Sequence, residues 1–213
     1  MKNYILVTFF AVFIISVNAQ PGLEAGALVQ PQIYGQLYDT ELNDRSLKIP
    51  YSFAIGFDLG YNFTDKFGFR TGAIYTPEGE KYNITSTDPE EAYELNLSYI
   101  QVPFYLKFNS STENRFSFIF IAGPSISFLN DATLTQDSED PVPVLGDYRR
   151  FNTGGAIGLG LQMNIERGGN VNLLWRSGVS LNPVQEEGSI LSRSVSTGLQ
   201  VSYHYFIYSP SGY

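Results

Sequence analysis

The chain has no cysteine. Disulfide staples and a lipid anchor on a cysteine are both excluded, so stability must come from other contacts. Charge is scarce: only 16% of residues are Asp, Glu, Lys or Arg, against a usual quarter. Histidine occurs once, at His204, and structural zinc wants four ligands. No basic tract exists, and a formal net charge of −8 disfavours a nucleic-acid partner. Long apolar runs are missing, with one exception. Lys2 precedes an apolar run from Tyr4 to Val17, and Val17-Asn18-Ala19 supplies the small residues a signal peptidase reads. Residues 1–19 are therefore expected to be a secretory signal peptide, cut after Ala19. That run is short for a helical span of about 20 residues. No helical period follows it.

What is abundant is aromatic: 15 Tyr and 16 Phe, together with 20 Gly. They fall into a period of two. Ile49, Tyr51, Phe53, Ile55, Phe57, Leu59 and Tyr61 share one parity, and Ser52, Ala54, Gly56, Asp58 and Gly60 fill the other. After a turn at Phe63–Lys66, Phe67, Phe69, Thr71, Ala73 and Tyr75 resume the pattern. Alternation of this length predicts two long strands in a hairpin.

The same pattern recurs along the chain. A first strand is expected over 22–33, with Leu28 breaking its alternation. After the hairpin a fourth spans 94–108, where the apolar parity slips at Ile100-Gln101 before Pro103; a β-bulge there would admit the proline. Strands over 116–128, 151–165, 171–181 and 191–207 complete the set. The connections alternate between long and short. The long ones are polar or acidic: Tyr34–Lys48, Gly79–Tyr93, Leu129–Tyr148 and Asn182–Ile190.

Eight strands can close in two ways. A soluble barrel points its large apolar residues inward; a membrane barrel points them outward. Size decides between them. Roughly forty large apolar residues would not fit the lumen of an eight-stranded barrel, which is just wide enough for side chains. The opposite parity is rich in Gly, Ser, Ala and Asn, which suit a crowded interior better than a wet exterior. Residues 20–213 are therefore read as one all-β domain, an eight-stranded antiparallel up-and-down transmembrane β-barrel. Its destination would be the bacterial outer membrane. Aromatics near strand ends, Tyr51, Tyr61, Phe67, Tyr75, Phe108, Phe116, Phe128, Phe151, Tyr203 and Tyr205, would mark the lipid interfaces. Such barrels keep short turns in the periplasm and long loops outside, which places the acidic loops on the outer face.

The fourth strand reads Leu97-Ser98-Tyr99-Ile100-Gln101-Val102-Pro103-Phe104-Tyr105-Leu106-Lys107-Phe108. It is similar to a strand of the PorT-like outer-membrane β-barrel proteins. That resemblance implies a barrel over the whole mature chain. An accessory role in protein secretion, by analogy with the founding member, stands as an alternative. The last strand, Ser196-x-Gly198-x-x-Val201-x-Tyr203, resembles the signal by which barrels engage the barrel-assembly machinery.

Polar residues expected to face the lumen are Glu24, Asp58, Arg70, Lys107, Arg150 and Arg176. Charges in so narrow a space must pair or cost several kcal/mol each, so a structural network is expected, with Asp58–Arg70 as one pair. No catalytic residue, metal site or cofactor is expected. His204 should lie near the periplasmic end, away from an outer-rim active site. The acidic Asp131–Asp147 stretch lacks the spacing of a calcium loop. The partners expected are outer-membrane lipid and a protein or surface ligand at the outer loops. Small-molecule transport through the lumen is a further alternative.

Overall fold

The computed structural model describes residues 22–39, 45–86, 90–111, 114–137, 139–165, 168–185 and 192–208. The expected signal peptide, parts of the long connections and the first residue of the last expected strand lie outside these residues. The elements in order are β1 (Gly22–Tyr38), β2 (Arg45–Lys48), β3 (Tyr51–Asn62), β4 (Phe67–Ile84), β5 (Glu91–Asn109), β6 (Phe116–Gln136), β7 (Val142–Pro143), a 3-10 turn (Leu145–Asp147), β8 (Phe151–Ile165), β9 (Gly169–Ser180) and β10 (Ser192–Tyr208).

Eight of the strands form a closed antiparallel ring: β1, β3, β4, β5, β6, β8, β9 and β10. Closure comes from β10 pairing back onto β1, from Leu23 opposite Tyr208 to Tyr38 opposite Ser192. A closed ring leaves no unpaired backbone edge, which is what allows strands to cross hydrocarbon. Its faces are sorted as the alternation requires. Phe53, Leu59, Leu161 and Val201 are 58%, 45%, 46% and 41% exposed. Glu24, Asp58, Arg70 and Lys107 are buried within the ring. All ten aromatics expected at the interfaces point outward, and some meet across strands, as Phe67 with Phe108 and Phe128 with Phe151.

Glycines on the inner face make the room that the large inner side chains occupy. A Cβ on Gly60 would sit 2.5 Å from Glu24 Cγ, and one on Gly26 would sit 2.2 Å from the His204 ring.

The structure corrects the strand boundaries at the long-loop end. β1 runs on to Tyr38, β4 to Ile84 and β6 to Gln136, while β5 begins at Glu91. At about 3.3 Å per residue, the 21 residues of β6 measure about 70 Å. Tilted by about 40°, that is about twice the 25 Å apolar band of such barrels. Much of what reads as polar loop is therefore sheet standing above the membrane. β2 extends it, pairing Lys48 with Lys81 where β3 has not yet begun.

The bulge is also misplaced in the sequence reading. β5 keeps a single parity: Leu95, Leu97, Tyr99, Pro103, Tyr105 and Lys107 are all buried, while Ile100, Phe104, Leu106 and Phe108 are exposed. The apolar side chains change faces, not the backbone. Below Ile100 the outside meets lipid; above it the outside meets water, so the grease turns inward. The register does shift nearby, but the extra residue is Asn130 on β6, between Asp131 opposite Ser98 and Leu129 opposite Tyr99.

The inward-turned residues pack together as Leu95, Leu97, Tyr99, Leu129, Ala132 and Val184, with Val144, Leu145 and Tyr148 against them. Two loops supply the lid of this cluster, and they are tied to each other. Arg149 N donates to Val184 O, Tyr148 bridges Gln185, and Val144 N donates to Ala132 O. Folded chain from these two loops thus packs over the cluster at the upper end.

Leu159, mid-strand on β8 and 61% exposed, tests the sorting of faces. Leu159→Arg should destabilise the barrel by about 2–4 kcal/mol, the depth-dependent cost of a charge on the lipid face. The measurement is urea unfolding in lipid vesicles; no change would mean that this face meets water.

Candidate functional site

The lumen is filled in layers. Nearest the short turns is a charged layer centred on Glu24, which is fully buried. Lys107 Nζ lies 2.6 Å from Glu24 Oε1, and Arg70 approaches the same oxygen with Nε and Nη2, each at 3.2 Å. The other oxygen accepts from Asn170 Nδ2 at 3.3 Å. These four side chains come from β1, β5, β4 and β9, so a single carboxylate ties opposite walls of the ring together.

Asp58 does not take Arg70 as its partner, as the sequence reading expected. Its Oδ1 accepts from His204 Nε2 at 2.6 Å, and Asn172 Nδ2 lies 2.8 Å from His204 Nδ1. The amide donates to Nδ1, which leaves the proton on Nε2 for Asp58; a neutral imidazole satisfies both. The reason for the change of partner is Gly26. It sits opposite both Asp58 and His204 in the ladders of β1, and its missing side chain lets the ring lie between them. His204, Asn170 and Asn172 were not singled out from the sequence for this layer. Their inward parity was the available signal.

Above lies an apolar layer: Leu28, Ala54 and Ile74 on one side, Ile119, Ile121, Ala156 and Leu174 on the other. The irregular Leu28 of the first strand belongs here, pointing inward. Arg176 marks the next layer. Its Nη1 donates to Gln30 Oε1 at 3.0 Å and its Nη2 to Tyr105 Oη at 2.9 Å and to Gln101 Oε1, with its guanidinium over the Tyr105 ring. Gln30 continues to Gln32, which reaches Ser52 and Thr76.

Arg150 joins none of this. It is exposed, one residue before β8 begins, where strand alternation no longer governs side-chain direction. Five of the six polar residues expected in the lumen are therefore buried there, four in one layer and Arg176 in another.

A family model describing an outer membrane protein beta-barrel domain matches residues 22–186. The chain belongs to this family. Among solved structures, the barrel resembles Neisserial surface protein A at 13% identity, covering 85% of this chain and 96% of that one, with a TM-score of 0.51. It also resembles OprG from Pseudomonas aeruginosa at 12% identity, covering 89% of this chain and 97% of that one, with a TM-score of 0.50. At these identities the likeness is one of fold. No curated protein sequence matches.

The long-loop end, which in outer-membrane barrels generally faces outward, is acidic and tyrosine-rich here. Glu80 accepts from Tyr38, Glu91 accepts from Tyr93 at 2.7 Å and from Gln136 at 3.2 Å, and Tyr82 stacks on Tyr93 with ring centres 5.3 Å apart. The hydrogen bond to the Glu91 carboxylate pushes the Tyr93 phenol up to about 12. Followed by the ring carbon shift of Tyr93, ionisation should occur near that value and fall back toward 10 in Glu91→Gln; a midpoint near 10 in the unaltered chain would contradict the contact.

Removing the Glu24 carboxylate should be costly, because Arg70 and Lys107 would remain buried without a counter-charge. Glu24→Gln is expected to lose about 3–5 kcal/mol in urea unfolding from micelles. Adding Lys107→Met should restore part of that loss. Equal stability of Glu24→Gln and the unaltered barrel would show that the layer contributes nothing.

Proposed function

We propose that the protein is a non-enzymatic outer-membrane barrel that works through its outer end, as a binding or structural surface. One observation carries the reading: the lumen is filled by its own side chains, and described parts of two outer loops pack on the cluster at its outer end. Little is then left for a solute to cross, and the accessible part is the sheet above the membrane. That sheet and the loops on it carry most of the acidic residues among those described, including Glu80, Glu91, Glu94, Asp131 and Asp137. The described parts of two loops are tied to the sheet and to each other, so they offer a fixed surface of the kind recognition needs.

The similarity of β5 to the PorT-like strand supports a second reading, an accessory role in protein secretion or transport. In β5 that motif contributes Tyr105 and Lys107 to the lumen, which gives it a packing role as well. The terminal pattern Ser196-x-Gly198-x-x-Val201-x-Tyr203 lies on β10, the strand that closes the ring, a placement that suits engagement by the assembly machinery.

Protease treatment of intact cells separates these readings. Under the first, cleavage within the outer loops abolishes capture of the surface partner while the barrel keeps its folded gel mobility. Deletion that strands exported proteins in the periplasm, with no loss of surface binding, favours the second. Steady conductance of the purified barrel in planar bilayers would overturn the first in favour of transport.

A further inference from the structure

Among the described residues, β2 pairs with β4 and with no other strand. Its register sets Lys48 directly opposite Lys81, and like charges in that position destabilise a ladder. Glu94 of β5 relieves part of this, with its Oε2 2.8 Å from Lys81 Nζ. Lys48 is exposed and makes no ion pair among the described residues. The wall beneath the two lysines is apolar. Ile49 follows Lys48 at once and Tyr51 two residues later, and at 77% and 80% they are the most exposed of the large apolar side chains. On the outward face of β4 only Pro77 and Gly79 separate Lys81 from Tyr75. β5 differs: above Ile100 its outward face carries Ser98, Asn96 and Glu94. The apolar belt therefore rises higher on the β2–β3 side of the ring, and there it ends under two ammonium groups.

We propose that the outside of the wall at β2 and the upper parts of β3 and β4 binds a phosphorylated lipid of the adjacent leaflet, its phosphate monoester between Lys48 and Lys81 and an acyl chain along Ile49 and Tyr51. A phosphate monoester brings close to two negative charges and three acceptor oxygens, so it can take donors from both ammoniums and cancel their repulsion. Lysine suits the task, with three donors on a flexible four-carbon stem that can lie along apolar wall while its head stays at the polar layer. The occupant is a lipid because the site continues the lipid-facing belt: a free anion would make no use of Ile49 or Tyr51. A zwitterionic head would bring a cation of its own toward the lysines. The site lies on the outside of the ring and is separate from any partner held by the long loops.

The test is native mass spectrometry of the full barrel released from detergent micelles and titrated with palmitoyl-oleoyl phosphatidic acid. Phosphatidic acid should be retained more tightly than phosphatidylcholine with the same chains. Lys48→Gln and Lys81→Gln should each weaken its retention about fivefold, and Glu94→Gln, which removes the competing carboxylate, should strengthen it. Lys66→Gln, in the turn at the other end of the barrel, should change nothing. Ile49→Ser should weaken retention with both lysines in place. Each change is single and at an exposed or half-exposed side chain, and folded gel mobility checks the barrel before each titration. Unchanged retention in both lysine variants would overturn the proposal, as would equal retention of the two lipids. Displacement of the lipid by equimolar inorganic phosphate, or unchanged retention in Ile49→Ser, would overturn it in favour of a site for a free anion.

Discussion

The interior of an eight-stranded ring is narrow, and its width is set by the strand count. Every inward side chain must therefore be small, or find a partner, or pack against another. The glycines opposite Glu24 and His204, the three donors around one carboxylate and the apolar layer above them all answer that constraint. The outside has no such limit, which is why Phe, Leu and Tyr accumulate there. Lipid face and lumen are two results of one geometry.

That geometry also explains why polarity reverses along a single strand. In β5 the inner face passes from Lys107 to Leu95 while the outer face passes from Phe108 to Glu94. The backbone does not change course; the solvent does. Within the bilayer the apolar side faces out, and above it the strands behave as a soluble sheet with a core of their own. Val144, Leu145, Tyr148 and Val184, from two of the long connections, fold onto that core and become part of it. Residues distant in sequence, Val184 and Leu97 among them, end in one cluster.

The fold was largely legible because side-chain direction in a strand has a period of two. Strand count, antiparallel order, closure and the sidedness of Phe53 or Leu161 follow from that period and from the size of the lumen. Strand ends were less legible. Polar residues such as Glu80 and Glu91 look like loop when the alternation is judged against lipid alone, although they continue the ladder in water. The apparent slip at Ile100 has the same origin. In the lumen, parity was enough to place Glu24, Asp58, Arg70, Lys107 and Arg176 inside. It could not assign partners, because those depend on the stagger between strands. Asp58 meets His204 across 146 positions of sequence, and only the ladders through Gly26 show why. Arg150 lay one residue beyond the strand, where the rule lapses.

The seam between β1 and β10 has a consequence for how the molecule is made. The first strand finds its second neighbour only when the last one arrives, so the ladder of greatest sequence separation is also the one that completes the ring. Loop-closure entropy is spent before that ladder rewards it, which makes such topologies slow to fold. Until then both terminal strands present bare edges that other chains can join. A newly exported copy is thus most vulnerable to aggregation just before it is finished, and protection during that interval has to come from outside the chain.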